Sequence, residues 1–190
     1  MPLLYHASPV PGLRTLEPRI SNHGIPQVYF SRKRENVLVY LCNAIEKYAR
    51  ETNFPYTGLW QKWGPYGFSK DGRLRLEEYY PHATKDTYQG VSAYIYCVEE
   101  TSSMHPLPDI PDAVVSPEPV AVKSCEWIPD AYEEIQKALR DGLITLVSYE
   151  QGSEAWHQQI GILLREDYEK AIDHPEYRHF LEGKFPFLHF

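Results

Sequence analysis

Two short runs near the start of this chain hold the residues best suited to chemistry. They are Leu4-Tyr5-His6-Ala7-Ser8 and Val28-Tyr29-Phe30-Ser31. Both are apolar and aromatic, and both end in a small hydroxyl residue. The first carries His6 and the second Tyr29. Side chains alternate between the two faces of a strand. His6 therefore shares a face with Leu4 and Ser8, while Tyr29 shares one with Ser31. If the strands lie together, one polar face offers an imidazole, a phenol ring and two hydroxyls to a common cleft. The segment between them contains Leu16-Glu17-Pro18-Arg19 and Ser21-Asn22. Across residues 1–34, Arg14, Arg19, Arg32, Lys33 and Arg34 face a single acid, Glu17, so this stretch is basic in a chain of net charge −7. Arginine grips phosphate oxygens in a bidentate way, so a basic patch beside such a cleft suits a pyrophosphate. Arg32 to Arg34 read equally well as the solvated start of a helix.

The order of these motifs resembles the opening of the ADP-ribosyltransferase fold, closest to small bacterial enzymes that ADP-ribosylate rifamycins. In those enzymes a Tyr-His-Gly-Thr run precedes a loop with a proline and a Ser-Asn pair, then a Val-Tyr or Ile-Tyr before a small hydroxyl residue. Here Ala7-Ser8 stands in place of Gly-Thr. The resemblance covers about thirty residues closely and the remainder loosely. It implies that NAD is the cofactor, consumed as substrate. His6 would hydrogen-bond a ribose, Tyr29 would stack on nicotinamide, and Ser8, Ser31 and Arg19 would complete the binding set.

Cleavage of NAD breaks the bond between ribose and nicotinamide. The leaving group departs neutral, and positive charge develops on the ribose, as in glycoside hydrolysis. A fixed carboxylate near that centre stabilises it. The family pattern places that acid at the start of a later strand. The candidates are Asp112, just before Ala113-Val114-Val115-Ser116 and the Pro119-Val120 pair, then Glu118, then Glu126. An alternative reading is a fold relative without catalysis, acting as a ligand- or protein-binding module. The acceptor implied by the transferase reading is a small molecule or a protein. An RNA 2′-phosphotransferase shares the fold, but the acidic balance and the lack of a second histidine motif count against it.

The elements that must position these groups read as follows. Spacings of three and four through Leu38, Leu41, Ile45 and Tyr48 predict one amphipathic helix over about 33–51, with Ser31 as its N-cap. Residues 52–72, rich in Gly, Pro and aromatics, read as an irregular loop or lid. Leu74–Pro81 and Ser92–Val98 read as strands, 101–112 as a proline-punctuated connector, and 113–116, 120–124 and 125–128 as short strands. Asp130 caps a helix that stops at Gly142. Leu143–Tyr149 reads as a strand. Residues 153–182 read as helical, broken at His174-Pro175 and stopped at Gly183. An aromatic tail follows, which docks on the domain or reaches a partner. Helices mixed with short strands, without a βαβ rhythm or a Gly-rich phosphate loop, predict an α+β fold with split mixed or antiparallel sheets. The expected organisation is a single domain over 1–190, with 153–190 a C-terminal helical extension.

Composition bounds the remaining possibilities. A chain of 190 residues with 43% hydrophobic content supports a real core. The net charge of −7 argues against a general nucleic-acid binder. Cys42, Cys97 and Cys125 are odd in number and far apart, with neither disulfide nor zinc spacing, which favours a reducing cytoplasmic setting. The histidines show no metal spacing, and Glu77 and Glu78 point to opposite faces of a strand. No apolar run approaches a membrane span, and the start lacks the features of a signal peptide.

Overall fold

The structure, a computed structural model, describes residues 2–20, 24–57 and 64–190. The described residues form strands β1 (Leu3–Ser8), β2 (Thr15–Leu16), β3 (Arg19–Ile20) and β4 (Pro26–Ser31), a 3₁₀ segment (Arg34–Leu41) and helix α1 (Ala44–Glu51). Next come β5 (Tyr66–Phe68), β6 (Leu74–Glu77), α2 (Ala83–Tyr88), β7 (Ala93–Glu99), β8 (His105–Pro106), β9 (Ala113–Ser116), β10 (Val120–Ala121) and β11 (Ser124–Ile128). The chain ends with α3 (Ala131–Arg140), β12 (Thr145–Val147), α4 (Glu154–Lys170) and α5 (Pro175–Lys184). This is a mixed α+β arrangement built mainly on antiparallel pairs.

The principal sheet runs β11-β7-β1-β4-β9-β8, with β3 also on β4. Its two faces bury different clusters. Leu4, Val28, Phe30, Tyr96, Val98 and Val114 pack on one face, beneath Leu16 and Val120 of the small β2–β10 ribbon. Ala7, Ala93 and Ile95 pack on the other, against Val37, Leu38 and Leu41 of the 3₁₀ segment and Ile135 of α3. That second layer also contains the small sheet β12-β6-β5, through Leu74 and Leu76. A third cluster joins α1, α2, α4 and α5.

The single helix expected over 33–51 is two pieces. Cys42 and Asn43 are both extended, and the Asn43 Oδ1 accepts from Ile45 N and Glu46 N, at 3.2 Å each. A side chain that caps so well ends one run and begins another. Ser31 binds the Lys33 amide at 3.1 Å but does not cap a helix, because Lys33 itself is extended. The stretch read as an irregular loop contains β5, which pairs with β6 from Tyr66↔Leu76 to Phe68↔Leu74. Helix α2 has no counterpart in the expectations from sequence. It is nucleated from a distance by buried Glu78, whose Oε1 accepts from Thr84 N at 3.0 Å. Asp130 does cap α3, accepting from Tyr132 N at 2.9 Å and Glu133 N at 3.2 Å. Gly183 does not end its helix. It lies within α5, where an added Cβ would sit 1.8 Å from the Tyr48 hydroxyl, so glycine permits α1 and α5 to approach.

The aromatic tail docks. Phe185 is fully buried, its ring edge-on to Tyr80 at 5.4 Å, and Leu188 is buried beside it. Phe187 is 54% exposed. Phe185→Ala is expected to cost about 3–5 kcal/mol, the usual range for emptying a core aromatic site. Phe187→Ala should cost less than about 1 kcal/mol. Urea denaturation of the two variants measures both, and equal losses would mean the tail is not anchored through Phe185.

Candidate functional site

Strand β1 lies along β7 for its whole length, from Leu3↔Glu99 to Ser8↔Tyr94. On its other side it meets β4 at one register pair only, Tyr5↔Ser31. Beyond that pair the two strands part. β4 continues beside β9, from Ser31↔Ala113 to Val28↔Ser116. From His6 onward, the β1 edge facing β4 has no strand partner among the described residues, so a gap opens in the centre of the sheet.

His6 stands where the gap begins. Its Nδ1 lies 2.8 Å from the Tyr29 carbonyl oxygen. A carbonyl can only accept, so Nδ1 carries the proton and donates. The imidazole thereby takes the place of the ladder N–H that Tyr29 lost when the strands separated. The ring also meets Phe30 edge-on, with centroids 6.0 Å apart. Burial lowers the His6 pKa, the bond to the Tyr29 carbonyl opposes that shift, and the nearby Arg19 guanidinium adds to it. The ring is therefore held neutral, with Nε2 left as a hydrogen-bond acceptor.

One expectation is corrected here. The sequence reading put the imidazole and the phenol on a common face. The pairing of Tyr5 with Ser31 puts Tyr5, Tyr29 and Ser31 on one face and His6, Ser8 and Phe30 on the other. His6 meets Tyr29 through its main chain. The two side chains flank the gap from opposite sides.

The other candidates are distributed around this gap. Arg19, on β3 beside Gln27, is exposed and close enough to His6 to influence its charge. Ser8 ends β1, and its Oγ accepts from Val10 N at 3.2 Å. Ser31 is buried at the opposite end of the gap. Ser21 and Asn22 lie outside the described residues. The basic run is largely consumed by structure. Both terminal nitrogens of Arg32 bind Glu100, and Arg34 forks onto Glu126 and Glu134, each contact at 2.8 Å. Those pairs hold the guanidinium pKa of both arginines above its usual value; for Arg34 burial opposes the shift.

None of the three carboxylates touches His6. Glu126 lies on β11, two strands beyond β1, and is engaged by Arg34. Asp112 and Glu118 lie at opposite ends of β9. Since Tyr29 pairs with Val115, Asp112 is about 10 Å away along the strand. Asp112 is half-buried, with φ 58°, and its main-chain oxygen accepts from Arg32 N at 2.9 Å. Its carboxylate pairs with Lys33 at 3.0 Å. Glu118 is exposed, in a turn closed by the Ser116 hydroxyl.

Sequence reasoning missed Tyr40 and Tyr66. Their hydroxyls meet at 2.7 Å and their rings are edge-on at 5.8 Å. Tyr40 is near enough to Tyr29 for the two phenols to interact electrostatically. Tyr66 continues to Phe68, edge-on at 6.2 Å. An aromatic ledge thus extends from Tyr29 onto the small sheet. Tyr40 lies outside the spacing that marked the amphipathic helix, and nothing local flags it.

Among the described residues, no group of three or more His, Cys, Asp or Glu side chains could hold a metal ion, and no helix is long and apolar enough to cross a membrane. Among the described residues, two shallow recesses, one lined by Tyr79, Tyr149 and His157, lie at the helical part and include neither His6 nor Tyr29. Comparison of the chain with protein-family models, curated proteins and solved structures returned no significant match.

The tautomer and charge of His6 predict a pH signature. Its folded pKa lies below the unfolded value of about 6.5, so its contribution to stability is complete above that pH. It is lost as pH falls from there toward the folded pKa, where the unfolded chain binds the extra proton. His6→Asn keeps a donor for the Tyr29 carbonyl but does not titrate. Between pH 7 and pH 5 the wild type should lose stability more steeply than this variant, by at most about 1.4 kcal/mol per pH unit. Urea titrations at the two pH values measure it, and identical slopes would mean His6 titrates normally.

Proposed function

We propose that this chain is an ADP-ribosyltransferase-like protein that binds NAD across the gap between β1 and β4. The observation that carries the reading is the bond from His6 Nδ1–H to the Tyr29 carbonyl. It leaves a neutral imidazole with Nε2 as acceptor, which suits the donor of a ribose hydroxyl. Tyr29, on the other side of the gap, has an aromatic ledge beside it that suits a planar nicotinamide ring. Arg19 near the imidazole adds a positive charge that suits an anionic ligand. A dinucleotide is long enough to reach both sides of a parted strand pair, and a single-ring ligand is not.

In the catalytic form of this reading, the bond between nicotinamide nitrogen and ribose C1 breaks, and nicotinamide leaves with the electron pair. The developing cation is stabilised by Asp112, the carboxylate that opens the strand beside β4. The acceptor's nucleophilic oxygen or nitrogen bonds to C1 and releases its proton to solvent. A small molecule, a protein side chain or water would serve, and nucleic acid is not the expected acceptor. Three free cysteines suit a reducing, cytoplasmic setting.

The second reading is a binding module without catalysis. The ion pair between Asp112 and Lys33 favours it, because a carboxylate already neutralised by an ammonium stabilises a cation poorly.

Calorimetric titration with NAD tests the binding. Wild type should give saturable heat, and His6→Asn should bind at least tenfold more weakly while unfolding normally. Equal affinities, or no heat from wild type, would refute the assignment of this gap. Nicotinamide release then separates the two readings. Loss of release in Asp112→Asn with binding retained supports transfer, and absence of release from wild type supports the binding module.

A further inference from the structure

The Arg32-Lys33-Arg34 run contains one loosely held cation. Arg32 is bidentate on Glu100, and Arg34 makes three contacts with two carboxylates. Lys33 has one carboxylate partner among the described residues, Asp112 at 3.0 Å, and a long contact of 3.4 Å to the Asp71 carbonyl. The Asp71 carboxylate is itself taken by Ser69 and Arg73. The side chains of Lys33 and Asp112 are 36% and 30% exposed. A pair this wet is worth about 1 kcal/mol or less. It is a weak clasp.

Its surroundings keep it at the end of the gap. Lys33 follows β4 directly, and its amide is fixed by Ser31 Oγ at 3.1 Å. Asp112 is fixed by the Arg32 amide and by its left-handed turn. The tip of the β5–β6 hairpin covers the pair at Gly72, which has φ +74°. A Cβ there would lie 3.2 Å from Asp112 Oδ2 and 3.3 Å from Lys33 Nζ. Buried Asn36 reaches the Gly72 carbonyl only at 3.4 Å, and its Oδ1 has no partner. The joint holding the hairpin tip over the pair is therefore loose.

We infer that Lys33 exchanges partners on ligand binding: its ammonium holds Asp112 in the free protein and transfers to the pyrophosphate of a bound dinucleotide, freeing the carboxylate. The inference rests on the NAD reading above and adds a positioning residue to it. Asp112 and the diphosphate then compete for one cation. That competition has a sign that a purely structural ion pair lacks.

Calorimetric titration of the full chain with ADP-ribose, which carries the diphosphate without nicotinamide, tests it. Removing the competitor in Asp112→Asn should tighten ADP-ribose binding about three- to tenfold. Removing the cation in Lys33→Met should weaken it by a similar factor, and the double variant should match Lys33→Met. If both single variants weaken binding alike, or neither changes it, the exchange is refuted while the gap remains a dinucleotide site. If wild type gives no heat with NAD or with ADP-ribose, the underlying reading falls and the exchange with it. Hydrogen exchange of the β5–β6 hairpin in each variant identifies one that has lost its fold, and for that position Lys33→Gln or Asp112→Ser supplies the comparison.

Discussion

The hydrogen bond from His6 to the Tyr29 carbonyl is the contact on which the rest of this site depends. Two central strands that separate after one register pair leave main-chain groups facing a gap, and such groups need partners. The His6 imidazole crosses from β1 to the Tyr29 carbonyl, 2.8 Å away. In doing so it fixes its own tautomer. The residue that bridges the parted strands is thus also the residue whose remaining nitrogen is left as an acceptor. A substitution that closed the gap would remove both properties together.

A frame of ion pairs bounds the gap at one end. Glu100 follows β7, so its pairing with Arg32 ties the end of β4 to the far side of β1. Arg34 ties the 3₁₀ segment to β11 and α3 through Glu126 and Glu134. Each of these exposed pairs contributes little stability alone. Their geometric effect is larger, because bidentate guanidinium contacts fix direction as well as distance. They hold the Ser31 end of β4 against the sheet, while its other end pairs with β3.

Which parts of this were legible in the sequence follows from the range of the interactions involved. Alternation marked β1, β4 and β7, and the Asp130 cap marked α3, because both signals act within a few residues. The order of motifs suggested that the His6 and Tyr29 segments are neighbouring strands, but not that His6 bonds the Tyr29 main chain. The faces were not legible. A one-residue change of register moves every side chain to the other side of a sheet, and the Tyr5↔Ser31 register is set by packing on both faces. The break at Asn43 was present in the chain as a capping residue, but hydrophobic spacing on either side outweighed it in the reading. Glu126 stood among the candidates, third after Asp112 and Glu118, because its partner, Arg34, is 92 residues away in sequence.

Charge adds a final constraint on what the gap can recognise. The chain carries a net charge of −7, so a dinucleotide approaching from afar meets repulsion rather than steering. Screening at physiological salt confines attraction to within about 8 Å of a cation. Arg19 at one end of β4 and Lys33 at the other are then the charges that matter, since Arg32 and Arg34 are already neutralised locally. On the proposed reading, these two cations, the acceptor nitrogen and the aromatic ledge are the groups that an elongated anionic ligand with a planar end would meet. On the same reading, a nucleotide with a single base and a terminal phosphate would meet one end of this arrangement only. It would leave either the ring surface or the imidazole without a partner, so that mismatch, rather than overall charge, would set the discrimination.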